Sequence, residues 1–142
     1  MIGLRATVGK PGVDRATAEQ VGELQHAVVD VASGRVAKLV VGHGRHHALV
    51  DWSDVTSLGP DAVIVTSSRE PTSDEDRDVS GAHDPLDKRV LSDEGNELGQ
   101  VLDVDVDDDG RIHELTITDE TVPADRLRGV GSYAVVVAHA AS

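Results

Sequence analysis

The chain has 142 residues and a net charge of −13, with 26 acidic against 13 basic side chains. Phosphate backbones repel so acidic a surface, which disfavours nonspecific nucleic-acid binding. With one Trp, one Tyr, no Phe and no Cys, the chain offers no base-stacking platform, little lining for a large apolar pocket, and neither disulfides nor thiolate metal sites. No apolar run approaches a membrane span and residues 1–5 do not begin a signal peptide, so a soluble cytoplasmic protein is expected.

In chain order, residues 4–8 predict a short strand and 9–20 a polar loop punctuated by Pro11 and Gly12. Residues 24–31 and 35–41 predict strands joined by a turn at 32–34. A further strand covers 47–52, a helical turn 53–55, and a closing strand 62–66. Residues 67–85 carry many charges and almost no apolar side chains, the composition of a linker or mobile loop. Strands follow at 88–91, 100–106, 112–118, 121–124 and 134–138, with a turn at 124–127.

The second series repeats the first. Residues 21–65 and 98–137 share one pattern: Gly22 matches Gly99, Gly34-Arg35 matches Gly110-Arg111, Leu39 matches Leu115, and 61–65 match 133–137. Length differences fall in turns, where a sheet tolerates them. An internal repeat of short strands predicts an all-β chain of two tandem antiparallel domains. The expected division is 1–66, a linker at 67–85, and 86–142. Each copy is near the lower size limit for independent stability, so the copies should pack on each other or on a second chain.

Alternation predicts the buried face. In copy two Leu102, Val104 and Val106 share one face and Asp103, Asp105 and Asp107 the other. By alignment, the outward positions of copy one are apolar: Val28, Val36 and Val40. Such a face needs a cover, either copy two within the chain or a dimer or partner surface, of which Val28, Val40 and Trp52 would be the contacts.

Two clusters invite a metal reading. Asp105, Asp107, Asp109 and Gly110 match the first positions of a calcium loop, but position twelve is Thr116 and the flanks alternate as strands. The competing reading is an Asp-Gly β-turn, with the clustered carboxylates raising one another's pKa. His43, His46 and His47 surround Arg45 at a hairpin tip, with His26 or His83 as a third ligand. His46 and His47 alternate across a strand, so an exposed polar tip competes with a transition-metal or pH-sensitive site. His113 aligns with Ala37 and predicts a core-edge or capping role. No nucleophile constellation, P-loop or dinucleotide glycine pattern is present, and no cofactor is expected.

Taken together, several pieces of the sequence resemble the PRC-barrel family. In copy two they are Leu98-Gly99, residues 107–111, 115–117, the run Val122-Pro123-Ala124-Asp125-Arg126-Leu127, and 134–137. In copy one they are Val21-Gly22, 30–35, 39–41, 50–55 and 62–65, departing at Asp51 where the family usually has Pro. The resemblance implies a small closed barrel of about six strands per copy. It also implies protein–protein contact, with no shared catalytic residues. Similar domains occur in the photosynthetic reaction-centre H subunit and the 16S rRNA maturation factor. The function expected is a non-enzymatic, self-associating adaptor for a protein partner. The alternatives are an RNA-processing or ribosome-assembly accessory factor that touches a basic protein, and a metal- or ligand-responsive protein using Asp105–Asp109 or His43–His47.

Overall fold

The computed structural model describes residues 1–139; the last three residues of the expected second domain lie outside them. Among the described residues, thirteen strands build two sheets of matching plan. In the first, β2 (Pro11–Asp14), β3 (Gln20–Asp30), β4 (Arg35–His43), β5 (His46–Asp51), β6 (Val55–Leu58) and β7 (Val63–Val65) run in the spatial order β5-β4-β3-β2-β7-β6. In the second, β8 (Arg89–Ser92), β9 (Glu97–Val106), β10 (Ile112–Ile117), β11 (Thr121–Pro123), β12 (Leu127–Val130) and β13 (Val135–Val137) run β11-β10-β9-β8-β13-β12. All pairs are antiparallel except β2 with β7 and β8 with β13, which are parallel in both copies. The chain is therefore two tandem all-β domains.

The conserved spacing of the repeat has a steric cause at Gly22 and Gly99. Each opens a long strand at positive φ, 147° and 138°. A Cβ on Gly22 would lie 3.0 Å from the Gly42 nitrogen, and one on Gly99 would lie 2.8 Å from Thr118 Oγ1. The neighbouring strand passes too close for any side chain there.

The copies interlock reciprocally. Val36 N–H donates to Gly110 O at 2.8 Å, and Ile112 N–H donates to Gly34 O at 2.9 Å, as across a twofold axis through the Arg35–Arg111 bridge. Their lead-in segments also cross over. β1 (Ile2–Gly3) pairs with β9 of the second barrel, and His83 O accepts from Val29 N–H in the first at 3.1 Å. One aliphatic core results, joining Leu24, Leu39 and Val50 to Val104, Leu115 and Val137. Residues 1–66 are therefore not a self-contained unit, because the first strand belongs to the other sheet.

Several local expectations need correction. Residues 4–8 form no strand; Leu4–Thr7 is a helical turn, α1, whose i,i+3 spacing buries Leu4 and Thr7 together. The polar loop hides β2, where Gly12 lies beneath Val21 and Val41. Leu102 points outward, because a bulge between Thr116↔Asp103 and Ile117↔Val101 adds one residue and turns Val101 inward instead. A comparable irregularity between Val28 and Val29 sends Val36 into the core.

The largest correction concerns residues 67–85. They are a folded strap over the outer face of β3–β4–β5. Val28 (4% exposed), Val40 (0%) and Leu49 (0%) are buried there, and Val79 of the short helix α2 (Asp76–Val79) packs against them. The cover is thus neither the second barrel nor a second chain, and Val28 and Val40 are not interface residues. Burying each such side chain stabilises the fold by roughly 1.5–3 kcal/mol.

Charge pairing holds the strap in place. Lys38 Nζ lies 3.2 Å from Glu75 and 3.1 Å from Asp78, and Arg69 bridges Asp51 at 3.1 Å and Glu75 at 2.7 Å. Burial pulls the Lys38 ammonium down, yet its hydrogen bonds to Asp78 and Glu75 leave it raised. Arg69 holds the Glu75 carboxyl below its ordinary value. Backbone bonds tie Leu49 and Arg69 reciprocally at 2.7 and 2.8 Å. His26 Nδ1 meets Asp84 at 2.8 Å, and His83 meets Asp78. Lys88 Nζ donates to the Gly81, Ala82 and Asp84 carbonyls, and burial lowers its pKa. The acidic side chains of the strap meet Lys38 from the barrel and Arg69 from the strap itself.

Candidate functional site

Between the barrels the structure leaves a cleft of about 320 Å³, lined by Ile2, Trp52, residues 55–58, Asp107 and Asp108. Each wall follows from local structure. After β5 the chain makes one 3-10 turn, Trp52–Asp54, closed by Val55 N–H donating to Trp52 O. That turn sets the only Trp of the chain at the barrel junction. The indole crosses to the second barrel and lies on Gly110, where a Cβ would sit 2.6 Å from Trp52 Cε2. Gly110 is therefore required twice, for its turn at φ 80° and for the ring above it.

Beyond the turn, β6 is an edge strand. It pairs with β7 on one side only, and Thr56 and Ser57 are exposed. The edge is short, four residues, and a bulge between Val55 and Ser57 interrupts its ladder, but no Lys, Pro or inward charge lies within it. The opposite rim is the β9–β10 turn. Asp107 is internally occupied: its Oδ1 accepts from Asp109 N–H at 2.9 Å and Arg111 N–H at 3.0 Å, while Oδ2 meets His113 Nε2 at 2.9 Å. The His113 hydrogen bond foremost, with these backbone donors, keeps the Asp107 carboxyl below its ordinary value. Asp108 is the exposed carboxylate of the rim. The cleft thus combines an aromatic face, an open strand edge and negative charge.

A family model described as PRC-barrel domain matches the chain twice, over residues 2–70 and 77–136. The chain belongs to the PRC-barrel family. A search of curated proteins finds no match to it.

Within this tandem PRC barrel, the sequence-predicted sites fare differently. Trp52 lines a cleft, whereas Val28 and Val40 lie under the strap. Asp105, Asp107 and Asp109 do not gather their carboxylates around one point among the described residues. The run is an Asx-type turn organised by Asp107, whose pKa falls because N–H donors and His113, not neighbouring carboxylates, surround it. His113 is exposed and acts on Asp107 instead of the core.

At the hairpin tip His43 and His46 pair across the strands, and His47 lies opposite Gly42 with its Nδ1 2.9 Å from Gln25 Oε1. The supposed third ligands, His26 and His83, are engaged by the strap acids. The one group of three ligand-type side chains that converges among the described residues is Asp93, Glu94 and His139, all exposed. Its 2.7 Å His139–Asp93 contact accounts for it as an ion pair. Sequence reading missed it because the two ends are 46 residues apart, joined through the β8–β13 parallel pairing.

Proposed function

We propose that this PRC-barrel protein is a non-enzymatic adaptor that binds a protein partner in the cytoplasm. The observation that carries the reading is the filled interior. One aliphatic core runs through both barrels, so ligand chemistry is left to the surface, and the surface offers a Trp-lined cleft of the kind that anchors protein contacts. The two copies pair with each other within the chain, which supports a monomeric adaptor over a self-associating one. Light scattering should return a monomer near 14.9 kDa. No helix is long and apolar enough to cross a membrane.

Affinity capture of the tagged protein from its native extract, against a tag-only control, tests the adaptor role. A protein retained in stoichiometric amount supports it; nothing above the control overturns it. The acidic rim also gives the ribosome-assembly reading a definite form. A net charge of −13 would meet a basic ribosomal protein and not RNA. Salt-sensitive cosedimentation with small-subunit particles separates that partner from others.

A further inference from the structure

We infer that the β6 edge, Trp52 and Asp108 form a docking groove for an extended, basic segment of a partner protein, added as a strand to the first barrel's sheet. The inference deepens the adaptor reading and rests on it. Three independent features converge on one occupant.

The first is the strand edge. β6 has hydrogen-bonding groups directed away from β7 and, among the described residues, no strand beside them, and its two central side chains are small, polar and exposed. An extended peptide satisfies such an edge through main-chain bonds, which supply affinity without demanding a sequence. The second is the indole. Gly110 covers one part of the ring and the cleft opens on the rest, so Trp52 is fixed in place before any ligand arrives. A fixed indole favours a guanidinium or ammonium group and its methylene stem. The third is charge. The rim contributes Asp107 and Asp108, the lining contains no Lys or Arg, and the chain as a whole is strongly acidic. An acidic or neutral peptide gains nothing from this rim, whereas a basic one is steered to it.

The strands also exclude other occupants. Val55 and Leu58 are partly buried and pack against the core while Thr56 and Ser57 between them are exposed, so the wall presents a strand edge to an extended segment and no apolar stripe to the face of an amphipathic helix. The matching edge of the second barrel, β12, lacks the aromatic wall, because Ala124 stands where Trp52 does.

The probe is a blocked five-residue peptide of alternating valine and arginine. Its controls are the same peptide with glutamate for arginine, and the same peptide N-methylated along the backbone edge that would pair. Emission from Trp52, the sole Trp, reports binding to the full-length protein, and amide exchange at residues 55–58 reports strand addition. The expected result is a saturable emission change with slowed exchange on β6 for the arginine peptide. The glutamate and N-methylated peptides should give neither. Asp108→Lys, at an exposed turn position, should weaken binding about fivefold or more. The groove is overturned by no saturable response at millimolar peptide, by equal binding of either control peptide, or by indifference to Asp108→Lys. Failure of the two readings can be told apart. If extract capture retains a partner equally with Asp108→Lys, the adaptor reading stands and the groove falls. If the peptide docks but extract yields no protein, the groove stands and the adaptor reading falls.

Discussion

Val28, Val40 and Leu49 on the first barrel occupy the places that Asp105, Thr116 and Thr121 occupy on the second. The ladders are the same: Val40 faces Leu49 across β4–β5, and Thr116 faces Thr121 across β10–β11. The first trio is covered by the strap, whereas the second stays at the surface, where β1 and the turn α1 lie along β9 without burying its outer face. One backbone plan thus tolerates two surface solutions, and the side chains of three outward positions decide which is used. An apolar face demands a cover, and the cover must then bring partners for its own charges. That is why Lys38 sits among the apolar side chains of β4, where the second barrel has Glu114.

The sharpest way to break this comparison is to place the same charge on both faces. Val40→Asp puts a carboxylate under the strap beside Val28 and Leu49, with Lys38 already committed to Glu75 and Asp78. It should destabilise the protein by about 3–5 kcal/mol in denaturant unfolding, the cost of an uncompensated buried charge. Thr116→Asp, its counterpart, should cost no more than about 1 kcal/mol on a partly solvated face. Near-equal effects would mean that the strap does not close over the first barrel.

A smaller contrast lies in the two strand-opening glycines. Both sit at positive φ, so an alanine is strained at either. The obstacles differ, however. At Gly22 the new Cβ meets three backbone atoms of Gly42, while at Gly99 it meets Thr118, whose hydroxyl can turn aside by giving up its hydrogen bond from Gln100 N–H but whose Cβ at 3.0 Å cannot. Gly22→Ala should therefore cost about 2–3 kcal/mol and Gly99→Ala about 1–2 kcal/mol by thermal or chemical unfolding. The reverse order would show that the close approach at Gly22 is relieved by strand movement.

Much of this was legible in the sequence because it is local. Alternation identified Val104, Val106, Leu115 and Ile117 as core, and the two Gly-Arg turns with the closing Val strands established the duplication. What escaped reading is set by partners distant in sequence. The strap contains only Val79 and Ala82 to announce that it covers anything, and the charges that hold it, Lys38 on the barrel and Arg69 in the strap itself, look like ordinary surface residues. β2 was hidden because Pro11 and Gly12 punctuate loops more often than strands. Leu102 was misplaced by a bulge, and a one-residue shift inverts every assignment downstream of it. For the candidate site, Trp52 could be named but not its neighbour Gly110, 58 positions along the chain. Asp108 sat inside a run that resembled a calcium loop, and the β6 edge was masked by the helical turn before it.

The last contrast is one of pH, and its effect is the smallest. In both barrels the residue after the parallel strand donates to the closing strand: Arg15 N–H to Val65 O at 2.8 Å, and Asp93 N–H to Val137 O at 2.9 Å. Only the second barrel makes this position titratable together with a histidine. The hydrogen bond from Asp93 raises the His139 pKa above 6.5, the charges of Asp93 and Glu94 add to it, and Arg126 opposes it weakly. The same hydrogen bond lowers the Asp93 carboxyl. A native pKa above the unfolded value means that the folded protein holds the His139 proton more tightly. The histidine's contribution is therefore complete below the unfolded value and is lost as pH rises through the raised native one. Asp93 acts with the opposite sign: its contribution exists above the unfolded carboxyl value and is lost as pH falls through its depressed native one. The pair consequently supports the second barrel across the interval between, and the first barrel has no such interval at Arg15. Titration of the His139 ring by NMR should give a raised pKa that falls back toward the ordinary histidine value in Asp93→Asn. An unshifted His139 in the unaltered protein would remove the ion pair, and with it this difference between the barrels.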